Sequence, residues 1–339
     1  MVATNNFTSI ITESVKKAQQ EELEFEEIFS NPELPVGKNE FLFFIKPEIT
    51  LASGSIQLDR ILGLVQDKIE AFGLTVHNIK VLSAKYLEAY NIIAQHYGVI
   101  NKISGNALEG MSESAKEKFR EIYATTANDA RVLGGLEFLK QNAHFNAYSL
   151  DYLWQNLENK KLAGGTYCEK VKIDDGYIYL VNGFHPRQLK HFTEKGRSIV
   201  VMTLSGDISW ADARSNFIGA TDPSKANEGS LRRTFLEQRE ALGLAEVSQG
   251  VNGVHLSAGP VEALVELKRY NSNFSDSNAI KDFSDFTFGR KLKENFSNEQ
   301  FEKIVNNANV MQNGKTVSIF DITEEKDADE AIAILKQVL

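Results

Sequence analysis

The chain reads as an α+β protein, and three features of its hydrophobic pattern carry that reading. Phe41-Leu42-Phe43-Phe44-Ile45 is a continuous apolar run, as expected for a buried central strand. Residues 55–72 and 260–270 place apolar side chains at helical spacing. Residues 74–82 and 170–181 alternate instead, the second stretch around Asp174-Asp175-Gly176, where Asp-Gly supplies the positive φ angles of a hairpin turn.

Taken in order, residues 10–28 carry Ile10, Ile11, Val15, Leu23, Phe25 and Ile28 among many charges and predict an amphipathic helix. The acidic run 21–27 reads as a solvated face. Asn31-Pro32 and Pro35-Val36-Gly37 then break the chain before the 41–45 strand, which Lys46-Pro47 ends. The 55–72 helix ends at Gly73, a plausible C-terminal cap, and residues 84–97 return to a helical pattern. Helices are expected over 112–126, once or twice within 128–154, over 186–193 and over 209–217. Residues 198–204 read as an apolar strand, and 251–254 as a short strand delivering His255. The tail predicts a helix at 298–307, a strand at 317–322 and a helix at 327–338.

Composition excludes several classes. The chain has 339 residues, 42% hydrophobic, enough for two domains or one with a large insertion. A formal net charge of −9 argues against nucleic acid as a partner across the whole surface, because phosphate neutralisation needs clustered Lys and Arg. No apolar run of about 18 residues exists, so no membrane partner is expected. Cys168 is the only cysteine; it excludes an intrachain disulfide, points to a reducing cytoplasm and is not expected to be catalytic.

One chemistry stands out. Asn252-Gly253-Val254-His255-Leu256-Ser257 sets an imidazole at a strand end. Upstream lie Gly219-Ala220-Thr221-Asp222-Pro223 and Gly229-Ser230-Leu231-Arg232. A nucleophilic histidine, a turn rich in hydroxyls and amides, and a guanidinium are what phosphoryl transfer through a phosphohistidine requires. His96, His185 and His191 lack metal-ligand spacing and read as satisfied or exposed side chains. Tyr177 and Tyr179 read as hairpin packing.

These residues resemble the nucleoside diphosphate kinases over about residues 40–97 and 184–305. Phe43-Phe44-Ile45-Lys46-Pro47 matches the family's first strand and Ile-Lys-Pro motif; the Gly219 and Gly229 stretches match Gly-x-Thr-(Asn/Asp)-Pro and Gly-(Thr/Ser)-(Ile/Leu)-Arg; Asn252 to His255 matches Asn-x-x-His. The resemblance implies a ferredoxin-like βαββαβ core and a ping-pong reaction between nucleoside tri- and diphosphates, with His255 carrying the phosphoryl group. It implies that Lys46 and Arg232 are the cations around the phosphates, that Thr221 contacts phosphate, that Asn252 reads the ribose hydroxyl, and that Glu266 orients His255 directly or through Ser257. Mg²⁺ is implied as a cofactor carried by the nucleotide, with no protein ligand to the metal. Tyr97 is implied near the γ-phosphate, with Tyr90 as its rival, and Phe184 as a base-stacking residue.

The implied organisation is an N-terminal helical extension (1–39), a core (40–97 and 184–305), an insertion subdomain (98–183) that reshapes the nucleotide cleft, and a C-terminal strand–helix addition (306–339). There are departures. Ser215 holds the register of the family's arginine, so Arg214 serves only if the helix end is rearranged. Leu256-Ser257-Ala258-Gly259 replaces Gly-Ser-Asp-Ser, and residues 224–228 lack the proline of the family's oligomer contact, which leaves a homo-oligomer open. The alternatives are a nucleotide-binding regulatory module with little turnover, and phosphotransfer to a different acceptor.

Overall fold

The computed structural model describes residues 7–31, 35, 37–173 and 176–339. The chain divides into two compact units, one of residues 1–90 with 195–339 and one of residues 91–194.

The first unit is built on a five-stranded sheet: β1 (Phe25–Ser30), β2 (Asn39–Ile45), β3 (Thr75–Ser83), β4 (Ser198–Gly206) and β5 (Val254–Leu256), in the spatial order β1-β3-β4-β2-β5 with every pair antiparallel. Removing the edge strand β1 leaves β2-helix-β3-β4-helix-β5, the ferredoxin-like βαββαβ arrangement, within an α+β protein. Helices of this unit include α1 (Phe7–Gln19), α2 (Leu58–Ala71), α3 (Leu231–Glu237) and α4 (Pro260–Asn271). From Phe41 to Ile45 β2 is apolar because both its faces are covered there. Phe41, Phe43 and Ile45 share one core with α1, α2 and α3, while Phe44 packs against Tyr270 of α4 on the other (ring centroids 5.5 Å). Alternation along a strand makes this division obligatory.

The expected helix over 10–28 is corrected. The helix ends at Gln19, Glu21 takes a positive φ of 63°, and Phe25–Ser30 form β1 on the open edge of β3. Local propensity favoured a helix through the glutamates, but the exposed N–H and C=O row of β3 supplies backbone partners that no local pattern reveals. Glu27 in that acidic run is no mere solvated face. It binds the buried Lys80 ammonium (3.0 Å) and accepts from Asn78 (2.9 Å).

Other boundaries shift for local reasons. The 84–97 helix breaks at Asn91, which has a φ of 53°. The helix after β4 is a single turn, Trp210–Asp212, that continues as a π turn, Ala213–Ile218. The expected 317–322 strand is instead the end of a hairpin, Asn309–Gln312 with Lys315–Ser318, followed by a helix, Ile319–Thr323. Asn313-Gly314, both at positive φ, is the two-residue hairpin signal there.

The second unit has its own four-stranded sheet, ordered Val132–Gly134, Gly176–Val181, Thr166–Ile173, Lys160–Ala163, with the first pair parallel. Phe119, Cys168 and Tyr179 belong to one of its apolar clusters, and Phe138, Trp154 and Leu180 to another. The strands on either side of the 174–176 turn pair antiparallel, while Asp174 and Asp175 themselves lie outside the described residues.

Candidate functional site

The register of β2 against β5 fixes the site. Phe44 pairs with His255, so both side chains stand on the sheet face covered by α4. The imidazole stacks on the Phe44 ring (4.5 Å, 19° between planes) and keeps 17% of its surface exposed. From α4, Glu266 accepts from His255 Nε2 at 3.1 Å and from Ser257 Oγ through the same Oε2. Ser257 is itself anchored, its N–H donating to Leu42 O at 3.1 Å. Glu266 and Ser257 are both fully enclosed. The ring is therefore held by a carboxylate and an aromatic face, and the Ser257 hydroxyl holds that carboxylate.

One turn before Glu266 on the same face of α4, Glu262 accepts from the Ala258 N–H at 3.1 Å. Burial, then the neighbouring Glu266, push its pKa up to about 8.

Lys46 follows β2 directly. Its Nζ donates to Asn252 Oδ1 at 2.7 Å. Desolvation pulls its pKa down to about 8, with Arg232 adding to the shift and Glu48 opposing it. Glu48 Oε1 in turn accepts from the Gly253 N–H at 2.8 Å, so the 46–48 and 252–253 segments are clamped together.

Asn252 is buried, and its amide hydrogens go to Thr221 O (3.0 Å) and Gln249 O (3.1 Å). In this structure Asn252 bridges Lys46 to the Thr221 turn. Thr221 itself is exposed.

Arg232, at the start of α3, is 4% exposed. Its Nη1 donates to Gly219 O (2.8 Å) and its Nη2 to Val254 O (3.0 Å), which ties the Gly219 turn to the strand of His255. Gly219 has a φ of 88°, and a Cβ built there would lie 2.4 Å from Ser230 Oγ. Gly219→Ala is therefore expected to cost about 1–3 kcal/mol of stability through backbone strain, read as a lower urea midpoint at unchanged slope.

Arg214 emerges as the reaching residue. A π turn adds one residue per turn to a helix, often at functional sites. Here it spans Ala213–Ile218, and Arg214 Nη1 donates to Leu256 O at 3.0 Å, beside His255. Ser215, in the family's arginine register, turns its hydroxyl back to Ala211 O (2.7 Å).

Tyr97 and Phe184 belong to the 91–194 unit. Tyr97 sits among the rings of His96, His185 and Phe192. Phe184 packs beside Trp154 and Tyr167 at the head of the helix His185–Thr193. Tyr90 lies in the first unit against Tyr86 and Phe274. His185 is a satisfied core histidine, bonded to Gln188 (3.0 Å) and Asn101 (3.1 Å).

Phe44, Glu48 and Glu262 are site residues that the motifs did not single out. Glu48 directly follows the Phe43–Pro47 motif, two residues after Lys46; the pairing of Phe44 with His255 becomes visible only through the strand register.

No protein-family model matches the chain, and no curated protein matches it. Among solved structures, the chain is similar to a nucleoside diphosphate kinase from Encephalitozoon cuniculi, at 14% identity over 74% of this chain and 96% of that one, with a TM-score of 0.33. It is likewise similar to an NDP kinase from Pyrobaculum aerophilum, at 18% identity over 72% and 99%, with a TM-score of 0.32. At these values the likeness carries no weight for the chemistry. No described helix is long and apolar enough to cross a membrane.

Proposed function

We infer that this protein is a nucleoside-diphosphate-kinase-like phosphotransferase, moving the γ-phosphate of a nucleoside triphosphate to a nucleoside diphosphate through His255. The observation that carries the reading is the Ser257–Glu266–His255 arrangement on one face of the sheet, with Lys46, Arg232 and Arg214 reaching the segments that flank it. With Nε2 given to Glu266, attack falls to Nδ1. Its lone pair forms the N–P bond, the bond from phosphorus to the β–γ bridging oxygen breaks, and that electron pair leaves with the nucleoside diphosphate. The reverse sequence on a second nucleoside diphosphate regenerates the ring.

A neutral imidazole needs no separate base for this attack. Phosphoryl transfer depends mainly on positioning and on cations around spread charge. Lys46 supplies charge at the end of β2, Arg214 supplies it beside Leu256, and Arg232 sets the Gly219–Thr221 turn while raising the local positive potential. Mg²⁺ fits as part of the nucleotide. Glu266 is engaged by Ser257 and His255, and a nucleotide-borne Mg²⁺ would supply charge neutralisation to the phosphates.

Incubation with γ-labelled ATP tests the reading. Label that is acid-labile and base-stable, and that chases onto GDP, supports it. Label that forms and never chases points to another acceptor; nucleotide binding without label points to a regulatory module.

A pH dependence follows from Lys46. A lysine is charged below its pKa, so nucleotide capture is complete below about 8 and declines as pH rises through that value. The expected kcat/KM falls about tenfold per pH unit above that point. Glu262 titrates in the same range. In Lys46→Arg the cation stays charged, so a limb that moves to higher pH belongs to Lys46, and a limb that stays does not.

A further inference from the structure

We propose that Glu325, from the C-terminal segment, competes with the substrate's phosphate for Arg214 and thereby sets the affinity for nucleotide. The inference rests on the phosphotransferase reading and names a residue outside the proposed catalytic set.

Three observations converge on Glu325. Its carboxylate lies 3.9 Å from Arg214 Nε, while Nη1 of the same guanidinium donates to Leu256 O. Its backbone holds a φ of 55°, a region where glycine or asparagine is the usual occupant and a glutamate is strained. Its N–H donates to Ala258 O at 2.9 Å, three residues beyond His255, so the strained residue is fastened to the strand end that carries the imidazole. Strain held by the surrounding structure next to a candidate site is a pointer to function.

The two side chains also share a cavity of about 200 Å³, bordered by Arg214, Ser215, Gly219, Ala220, Asn227 and Glu325. Arg214 is its single cationic wall residue and Glu325 its single acidic one. The volume is that of a few phosphate-sized groups, and the Gly219 turn on its border is the one that Arg232 holds. A phosphate bound at Arg214 in this cavity would face the Glu325 carboxylate on the same wall. Glu325 is half exposed, so it can swing into solvent, and the repulsion is of the screened, surface kind.

The test is calorimetric titration of the full chain with MgADP, using wild type, Glu325→Gln, Arg214→Ala and the double variant, at low and high salt. Glu325→Gln is expected to tighten binding about threefold, the size of a screened surface charge effect. The gain should shrink at high salt and vanish in the Arg214→Ala background. A thermal melt of Glu325→Gln guards against a purely structural effect. Glutamine keeps the strained backbone, so its stability should stay near wild type while affinity moves.

Equal affinity of wild type and Glu325→Gln overturns the proposal. Weaker binding by Glu325→Gln also overturns it, because the carboxylate would then be orienting Arg214 rather than competing for it. If no protein in the set, wild type included, binds MgADP, the nucleotide reading itself has failed. That result is separate from a wild type that binds and a variant that does not differ.

Discussion

His255→Gln should abolish the labelled phosphoenzyme and lower nucleotide exchange by about 10⁴-fold or more, since it removes the atom on which the covalent step depends. Glutamine is chosen because its amide can still approach Glu266 Oε2 and Phe44, the two groups that hold the ring. The side chain keeps partial exposure, so its replacement leaves the core intact. The unfolding free energy from urea denaturation should therefore stay within about 1 kcal/mol of wild type while the label disappears. Retained label would move the acceptor to another residue. Label lost together with the fold would make His255 a packing residue.

Arg232→Met is the second large effect, and it acts on stability and activity together. The guanidinium is almost wholly enclosed and satisfies two main-chain carbonyls, Gly219 O and Val254 O. Methionine approximates its stem but leaves both acceptors without those donors. Each buried carbonyl left unsatisfied costs about 1–3 kcal/mol, so an overall loss of about 2–5 kcal/mol is expected. The same change unties the Gly219–Thr221 turn from β5 and removes a positive charge felt at Lys46. Nucleotide kcat/KM is expected to drop about a hundredfold or more. The Lys46 pKa should rise, because a like charge has gone, and the alkaline limb of the pH profile should move with it. A variant as stable as wild type would show that the two carbonyls find other donors. A stable variant with unchanged kcat/KM would remove Arg232 from the site.

Much of this was legible in the chain itself. The strands at 41–45, 74–82 and 198–204 and the helix at 55–72 follow from local periodicity, whereas the second crossover helix, Leu231–Glu237, was not read from it. A strand shows a period of two and a helix a period of 3.6 wherever they sit in the fold. The turn residues at 219–223 and 229–232, and the histidine at 255, stand out because their backbone and side-chain demands are written in short stretches. Even the hairpin at Asn313-Gly314 has a local signal.

What the local pattern could not carry was convergence. β1 forms because the edge of β3 is open, and β3 lies about fifty residues further on, so the glutamates at 21–27 read as helix until that edge is known. Asn252 looks like a ligand reader in its motif and becomes a bridge only when Lys46, 206 positions away, is set beside it. The π turn at 213–218 is a one-residue adjustment that aims Arg214 at Leu256. Helical periodicity is nearly blind to such a change. Phe44 meets His255 only through strand register, and Glu325 meets Arg214 only through the return of the C-terminal segment. The sequence by itself determined which elements exist and where reactive side chains occur, because those are matters of backbone conformation within a few residues. The tertiary structure alone decided which of those side chains share an atom, because pairings across tens to hundreds of residues are chosen by burial and hydrogen-bond satisfaction in the whole fold.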